Sequence, residues 1–137
     1  MNNRVLLVDD EPDLNLTLKL TLEENGFRVD SFTDPLSALE NFKANFYELI
    51  ILDIQMPGIN GFELYRQIKK IDDKAKVCFL TASEMYYEEF RKELFPALDN
   101  NFYIQKPIEN EVLIRRLNRI LNANNDDNNN KHENRNS

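Results

Sequence analysis

The chain is short of several residue types and patterns, and each shortage argues against a class of protein. Cys78 is the only cysteine among 137 residues, so no disulfide can form within one chain, which fits a reducing cytosol. No apolar run is long enough to cross a membrane, and the N-terminus lacks the apolar segment of a secretory signal. Basic residues are outnumbered, 17 against 24 acidic ones, and a net charge of -7 argues against direct nucleic-acid binding.

Length and composition divide the chain into one domain and a tail. A chain of 137 residues is long enough to bury a core without cross-links. We assign residues 1–122 to this domain and predict that residues 123–137 form a disordered, asparagine-rich tail. His132 lies in the tail and is interpreted as a solvated residue. No second domain is expected, so the domain is predicted to stand alone.

Short apolar runs alternate with helix-like segments along the whole domain. This alternation predicts an α/β fold in which a parallel sheet has helices on both faces. In the first helix, Asp13 is the predicted N-cap and Asn25-Gly26 the predicted end. The strands are predicted over residues 4–9, 28–33, 48–53, 76–81 and 101–105, and the helices over 13–25, 35–44, 61–70, 84–95 and 109–122.

Polar residues stand at the carboxyl ends of four of the predicted strands. In chain order they are Asp9 with Asp10, then Asp53, Thr81 and Lys106. Asp53 ends a continuous apolar run, and turn-forming residues follow it at once, which is typical of a buried parallel strand. Because parallel strands end at one edge of a sheet, these side chains are expected to converge there.

Together, these residue types predict a site for a phosphoryl group. Three neighbouring carboxylates repel one another, and a hard divalent cation such as Mg²⁺, which prefers oxygen ligands, would relieve that repulsion. An anion beside Asp53 would then contact the metal, the Thr81 hydroxyl and the Lys106 ammonium, which stabilises a phosphoryl group in transfer. Taken singly, each residue has a simpler interpretation: a solvated turn or cap for the aspartates, a strand end for Thr81 and a surface lysine for Lys106.

The ordered set resembles the receiver domain of two-component response regulators, of the stand-alone type found in chemotaxis. The resemblance covers roughly residues 3–122. It includes the pattern D-x-x-M-P-G-x-x-G that begins at Asp53, the Lys106-Pro107 pair, and Tyr103 three residues before that lysine. It implies a flavodoxin-like, doubly wound fold with five parallel strands in the order 2-1-3-4-5.

The resemblance also implies a reaction. A sensor histidine kinase or a histidine phosphotransfer protein would donate a phosphoryl group to Asp53, the phospho-acceptor and nucleophile. Lys106 would pair with the phosphoryl oxygens and Thr81 would hydrogen-bond one of them. Such a domain is not an enzyme for a separate substrate, because it catalyses only its own Mg²⁺-dependent phosphotransfer and dephosphorylation.

Metal ligands and switch residues follow from the same resemblance. Asp10 would bind Mg²⁺ directly together with Asp53, Asp9 would assist, and the carbonyl of Gln55 would be a further ligand. After phosphorylation, Thr81 and Tyr103 would shift together and change the face formed by the fourth helix, fifth strand and fifth helix.

Partners and location are expected to follow from this role. The output partner is unknown; the chain would act as a monomer or as a weak dimer through that same face. It would be cytoplasmic, without membrane insertion.

Three further hypotheses concern the first helix, the fourth helical region, and the residues that follow Asp53 and Thr81. Leu16 and Leu20 lie opposite the stripe of the first helix that contains Leu14, Leu18 and Leu22; they are either scattered surface leucines or a docking surface for the kinase. In the fourth helical region, Pro96 is expected to end or kink the helix. Neither Gln55 nor Ser83, two residues past Asp53 and Thr81, is acidic, so the phosphoryl group is expected to be long-lived.

Two other functional classes share part of this pattern. A haloacid-dehalogenase-like phosphatase also uses a strand-end aspartate and Mg²⁺, but it needs a second aspartate where this chain has Gln55. A receiver-shaped scaffold would bind partners without phosphorylation. The complete set of strand-end residues argues against such a loss of chemistry.

Overall fold

A five-stranded parallel sheet is the centre of the fold. The structure, a computed structural model, describes residues 3–94, 98–99 and 102–122. Its strand order is β2-β1-β3-β4-β5, and every neighbouring pair is parallel. The strands are β1 (Arg4–Val8), β2 (Arg28–Phe32), β3 (Leu49–Asp53), β4 (Val77–Thr81) and β5 (Tyr103–Gln105). The predicted doubly wound α/β fold and its strand order are therefore confirmed.

Helices connect the strands, as parallel neighbours require. The connecting helices are α1 (Pro12–Glu24), α2 (Pro35–Asn41), α3 (Gly61–Ile71) and α4 (Tyr87–Glu93), and α5 (residues 110–122) follows the last strand. The fourth helical region begins as a 3₁₀ turn at Glu84–Tyr86, and the Ser83 hydroxyl caps that turn by accepting from the N–H of Met85. The prediction for Pro96 lies outside the described residues.

The start of α1 corrects one prediction. Glu11, not Asp13, is the N-cap, and Pro12 occupies the first helical turn, where proline's missing N–H costs no hydrogen bond. Asp13 instead lies inside the first turn, where a carboxylate is favoured by the helix dipole. The predicted end is confirmed: Gly26 follows the helix with φ of 89°, a conformation that glycine adopts without strain.

The core surrounds the central strands, because helices and neighbouring strands enclose them. Every residue of β3 and β4 is buried, and Cys78 in β4 is buried with them. Phe62 and Ile68 of α3 pack into the same cluster as Phe79. Each such side chain contributes about 1.5–3 kcal/mol through burial, so this packing stabilises the strands that carry the polar residues.

The leucines of α1 take the predicted orientations. Leu18 and Leu22 are buried, Leu14 is partly buried, and Leu16 and Leu20 are 56% and 50% exposed. The exposed pair therefore forms an apolar patch on the solvent side of α1.

Two compact units divide the chain, Met1–Pro107 and Ile108–Ser137. The first contains the sheet. In the second, α5 carries four buried apolar residues at helical spacing, which are Leu113, Ile114, Leu117 and Ile120. The predicted tail, residues 123–137, lies outside the described residues. No helix within the described ranges is both long and apolar enough to span a bilayer.

Candidate functional site

Three carboxylates meet at the carboxyl edge of the sheet. Because β1 and β3 are hydrogen-bonded neighbours, the structure brings Asp9, Asp10 and Asp53 together, with one carboxylate oxygen of each within 4.8 Å of the others. Asp9 and Asp53 are 1% and 5% exposed, and Asp10 is partly buried. Clustered oxygen donors of this kind suit a hard cation.

Lys106 places a positive charge inside this acidic cluster. Its Nζ lies 2.9 Å from Oδ2 of Asp9, and its side chain is only 11% exposed. Its backbone N–H donates to the carbonyl of Thr81 at 2.7 Å, which continues the β4–β5 pairing beyond the strands. The other oxygen of Asp9, Oδ1, accepts from the N–H of Glu11 at 3.0 Å. Both oxygens of this buried carboxylate are therefore hydrogen-bonded.

Asn15 lies next to this cluster and is not among the residues predicted for the site. Its side-chain Nδ2 donates to the carbonyls of Asp9 at 3.0 Å and Phe32 at 2.9 Å. The residue is 4% exposed. A signal was present, because Asn15 shares the buried stripe of α1 with Leu18 and Leu22, and a polar side chain on a buried stripe needs hydrogen-bonding partners.

The loop after β3 holds Asp53 at the end of its strand. Oδ1 of Asp53 accepts from the N–H of Gln55 at 3.3 Å, and the N–H of Gly61 donates to the carbonyl of Ile54 at 2.8 Å. A Cβ at Gly61 would lie 2.8 Å from Cα of Ile54 and closer still to the carbonyl oxygen of Asp53. The start of α3 therefore packs directly on the backbone of the acidic residue.

Burial changes the acidity of Asp53. Removal from water raises its pKa to about 7, Lys106 opposes the rise, and the Asp9 carboxylate adds to it. At neutral pH a substantial fraction of Asp53 would therefore carry a proton unless a cation stabilises the charged form.

An open cavity of about 540 Å³ gives access to these groups. Its walls are formed by Asp10, Glu11, Asp53, Gln55, Met56, Pro57, Ala82 and Lys106. The cavity is polar and open to solvent, which suits a small charged group better than an apolar ligand.

Thr81 and Tyr103 are joined through Ser83. Thr81 is fully buried, and its Oγ1 accepts from the N–H of Ser83 at 3.3 Å. The Tyr103 hydroxyl donates to the carbonyl of Ser83 at 3.2 Å. The Tyr103 ring is buried and packs against Phe90 and Tyr87, with centroid separations of 5.1 and 5.3 Å. A hydrogen-bonded path therefore links the end of β4 to Tyr103 of β5, whose ring contacts α4.

Comparison with known proteins identifies the family. The profile of the response regulator receiver domain matches residues 5–118. The chain belongs to the response regulator receiver domain family. This membership removes the haloacid-dehalogenase-like alternative.

Named relatives agree with this assignment. The receiver domain is 33% identical over 121 residues to the regulatory protein VanRB of Enterococcus faecalis, covering 88% of this chain and 53% of the relative. It is 34% identical over 118 residues to the response regulator ArlR of Staphylococcus saprophyticus, covering 86% of this chain and 52% of the relative. The chain thus spans about half the length of the curated relatives it matches.

Solved structures resemble the receiver domain over nearly their whole length. The non-phosphorylated HemR receiver domain of Leptospira biflexa has a TM-score of 0.75 at 32% identity, covering 86% of this chain and 93% of that one. TrrA of Thermotoga maritima, solved in complex with Mg²⁺-BeF, has a TM-score of 0.71 at 33% identity, covering 85% and 97%.

Two uncharged side chains flank the site of this receiver domain. Gln55 is exposed at the cavity wall, and the Ser83 hydroxyl is used in capping the 3₁₀ turn before α4. Neither supplies a carboxylate that could act as a base toward water.

Proposed function

We propose that this receiver domain accepts a phosphoryl group on Asp53 in two-component signal transduction and passes the signal on through protein–protein contacts. The observation that carries the proposal is the placement of Asp53 beside Asp9, Asp10 and Lys106 at an open polar cavity. A carboxylate can act as a nucleophile toward phosphorus. A neighbouring ammonium can stabilise the charge on the transferred group.

Mg²⁺ is the cofactor that fits the donors. Asp9, Asp10 and Asp53 offer carboxylate oxygens within 4.8 Å of one another, and the Gln55 carbonyl is the proposed further ligand. When bound, the ion would neutralise the carboxylates and the incoming phosphoryl oxygens. The Mg²⁺-BeF complex of the relative TrrA supports this choice.

The chain's own residues have separate tasks in the proposed transfer. An Asp53 oxygen attacks the phosphorus of a phosphohistidine; the P–O bond forms as the P–N bond breaks, and the imidazole leaves with the electron pair. Lys106 turns from Asp9 toward the phosphoryl oxygens. The Thr81 hydroxyl donates to one of them, which changes the Thr81–Ser83–Tyr103 path and so favours a second state of α4 and β5.

The output is proposed to be a contact with an unidentified protein in the cytoplasm, made by a monomer or a weak dimer. The donor is proposed to be a sensor histidine kinase or a histidine phosphotransfer protein. Protein partners are known for a relative, because the CheY protein of Borrelia burgdorferi was solved in complex with CheX. Since neither Gln55 nor Ser83 is acidic, the proposed phosphoryl group would be lost slowly.

Phosphorylation by a small donor tests the proposal. Incubation with acetyl phosphate and Mg²⁺ is expected to add one phosphoryl group, seen by intact mass spectrometry. The adduct should be absent in Asp53→Asn and in the presence of a metal chelator. Rapid hydrolysis of many acetyl phosphate molecules would instead indicate a phosphatase. Wild-type protein that stays unmodified with every donor would contradict phosphorylation.

Docking of the kinase is proposed to use the exposed leucines of α1. We expect the change of Leu16 and Leu20 to Glu to slow phosphoryl transfer about 10-fold, because an apolar contact is replaced by charge. The donor in this assay is a histidine kinase that phosphorylates the wild type. Transfer from acetyl phosphate should be unchanged.

Leu36→Glu is the matched control, because Leu36 is 53% exposed but lies in α2. It should leave both rates unchanged. Equal losses with the kinase and with acetyl phosphate in the α1 variant would disprove the docking role.

A further inference from the structure

We propose that Asn15 is a positioning residue for the metal-binding carboxylates, acting by fixing the backbone of Asp9. The inference rests on the proposed Mg²⁺-dependent function and adds a residue to its site. Asn15 is not among the residues that line the cavity. Its effect would be transmitted through the turn that joins β1 to α1.

Asn15 connects three elements at one point. It belongs to the first turns of α1, and its Nδ2 donates to the last carbonyl of β2, Phe32, at 2.9 Å and to the carbonyl of Asp9, just past β1, at 3.0 Å. The N–H of Asp9 donates to the same Phe32 carbonyl at 3.1 Å. The backbone of Asp9 is therefore held on both sides, by its N–H and by its carbonyl.

Fixing this backbone determines where the carboxylate lies. The Asp9 side chain can rotate about only two bonds, and its two oxygens already accept from Glu11 and Lys106. Asp10 follows directly along the chain, so the same turn also sets its position. A shift of the Asp9 carbonyl would therefore displace two of the three clustered carboxylates relative to Asp53.

Asparagine is suited to this task because one amide nitrogen carries two hydrogens. Both are used on carbonyls at a residue that is 4% exposed. Aspartate at this position would place acceptors against acceptors, and leucine would leave the Asp9 carbonyl without its side-chain donor. Residues that orient metal ligands in this indirect way commonly alter metal affinity when they are replaced.

The test compares Mg²⁺ binding in the wild type and in Asn15→Leu. Titration calorimetry of the metal-free proteins is expected to show a dissociation constant for Mg²⁺ that is about 10-fold higher in the variant. In the acetyl phosphate assay, the half-saturating Mg²⁺ concentration should rise by the same factor, while the rate at saturating Mg²⁺ should stay within about 3-fold of the wild type.

Thr21→Val is the matched control for the loss of a buried polar group from α1. Thr21 is also a buried polar residue of α1, but its Oγ1 donates to the carbonyl of Thr17 within the helix. This variant removes a buried hydroxyl from the same helix without touching Asp9, and it should bind Mg²⁺ as the wild type does. Asn15→Ser, which keeps one donor, should give an intermediate rise and serves if the leucine variant does not fold.

The outcomes separate the two proposals. An adduct on the wild type with unchanged Mg²⁺ affinity in both Asn15 variants would overturn the role of Asn15 alone. Weakened Mg²⁺ binding in Thr21→Val, to the same extent as in Asn15→Leu, would overturn it as well. A wild-type protein that binds no Mg²⁺ and forms no adduct would overturn the proposed function together with this inference.

Discussion

Lys106→Met is expected to lower the rate of phosphoryl acceptance by at least about 100-fold, because the ammonium that stabilises the transferred charge is lost. The same change should lower the free energy of unfolding by about 2–4 kcal/mol, because it leaves a buried carboxylate without its cation. The pair is well enclosed: the side chains of Lys106 and Asp9 are 11% and 1% exposed, with Nζ 2.9 Å from Oδ2. Acetyl phosphate labelling in the presence of Mg²⁺ measures the first effect, and urea unfolding in the presence of a chelator measures the second.

A double variant separates the two effects of Lys106. Asp9→Asn combined with Lys106→Met removes both charges, so part of the stability should return while phosphoryl acceptance stays lost. Lys70→Met is the control, because Lys70 is exposed near the end of α3; it should change neither quantity. Lys106→Met protein that accepts a phosphoryl group at the wild-type rate would remove Lys106 from the proposed site.

Asp53→Asn is expected to stabilise the metal-free protein by about 1–3 kcal/mol near pH 8, while abolishing the phosphoryl adduct. Burial raises the pKa of Asp53 from 3.8 to about 7, so the folded state holds this proton more tightly than the unfolded state does. The stabilisation from the bound proton is therefore complete below about pH 3.8 and is lost as the pH rises to about 7. An uncharged amide avoids that loss.

Urea unfolding of both proteins across this pH range provides the measurement. The advantage of the variant should grow with pH and disappear near pH 4, about the pKa of Asp53 in the unfolded chain. Mg²⁺ should stabilise the wild type more than the variant, because the ion favours the charged carboxylate.

Asp73→Asn, at an exposed position before β4, should show no such gain. A variant that is equally or less stable than the wild type at every pH would contradict the account of Asp53.

The sheet and the meeting of the strand-end residues could be predicted from the sequence. Continuous apolar runs in β3 and β4 indicate buried parallel strands, and a parallel sheet necessarily brings strand ends to one edge. That reasoning places Asp9, Asp53 and Lys106 at the same edge, but the roles assigned to them stay predictions.

The contacts within the site could not be predicted in the same way. Periodicity does not show that Lys106 contacts Asp9 rather than Asp53, since that depends on side-chain rotamers. Asn15 lies between Leu14 and Leu16 in a run of alternating leucines, so the sequence pattern alone does not show that its amide meets the carbonyls of Asp9 and Phe32. Asp13 is a favoured capping residue by type, but Pro12 fits the first helical turn, so the helix begins before Asp13 and Glu11 is its N-cap.

The tight packing at Gly61 limits what the presence of this glycine in a related protein can indicate about function. No side chain fits there, because a Cβ would collide with the backbone of Asp53 and Ile54. The constraint comes from the path of the chain, so selection for folding alone would retain this glycine in a descendant that had lost phosphorylation. The presence of this glycine in a relative therefore indicates the same fold. The presence of Asp9, Asp53 and Lys106 together would indicate that phosphorylation is retained.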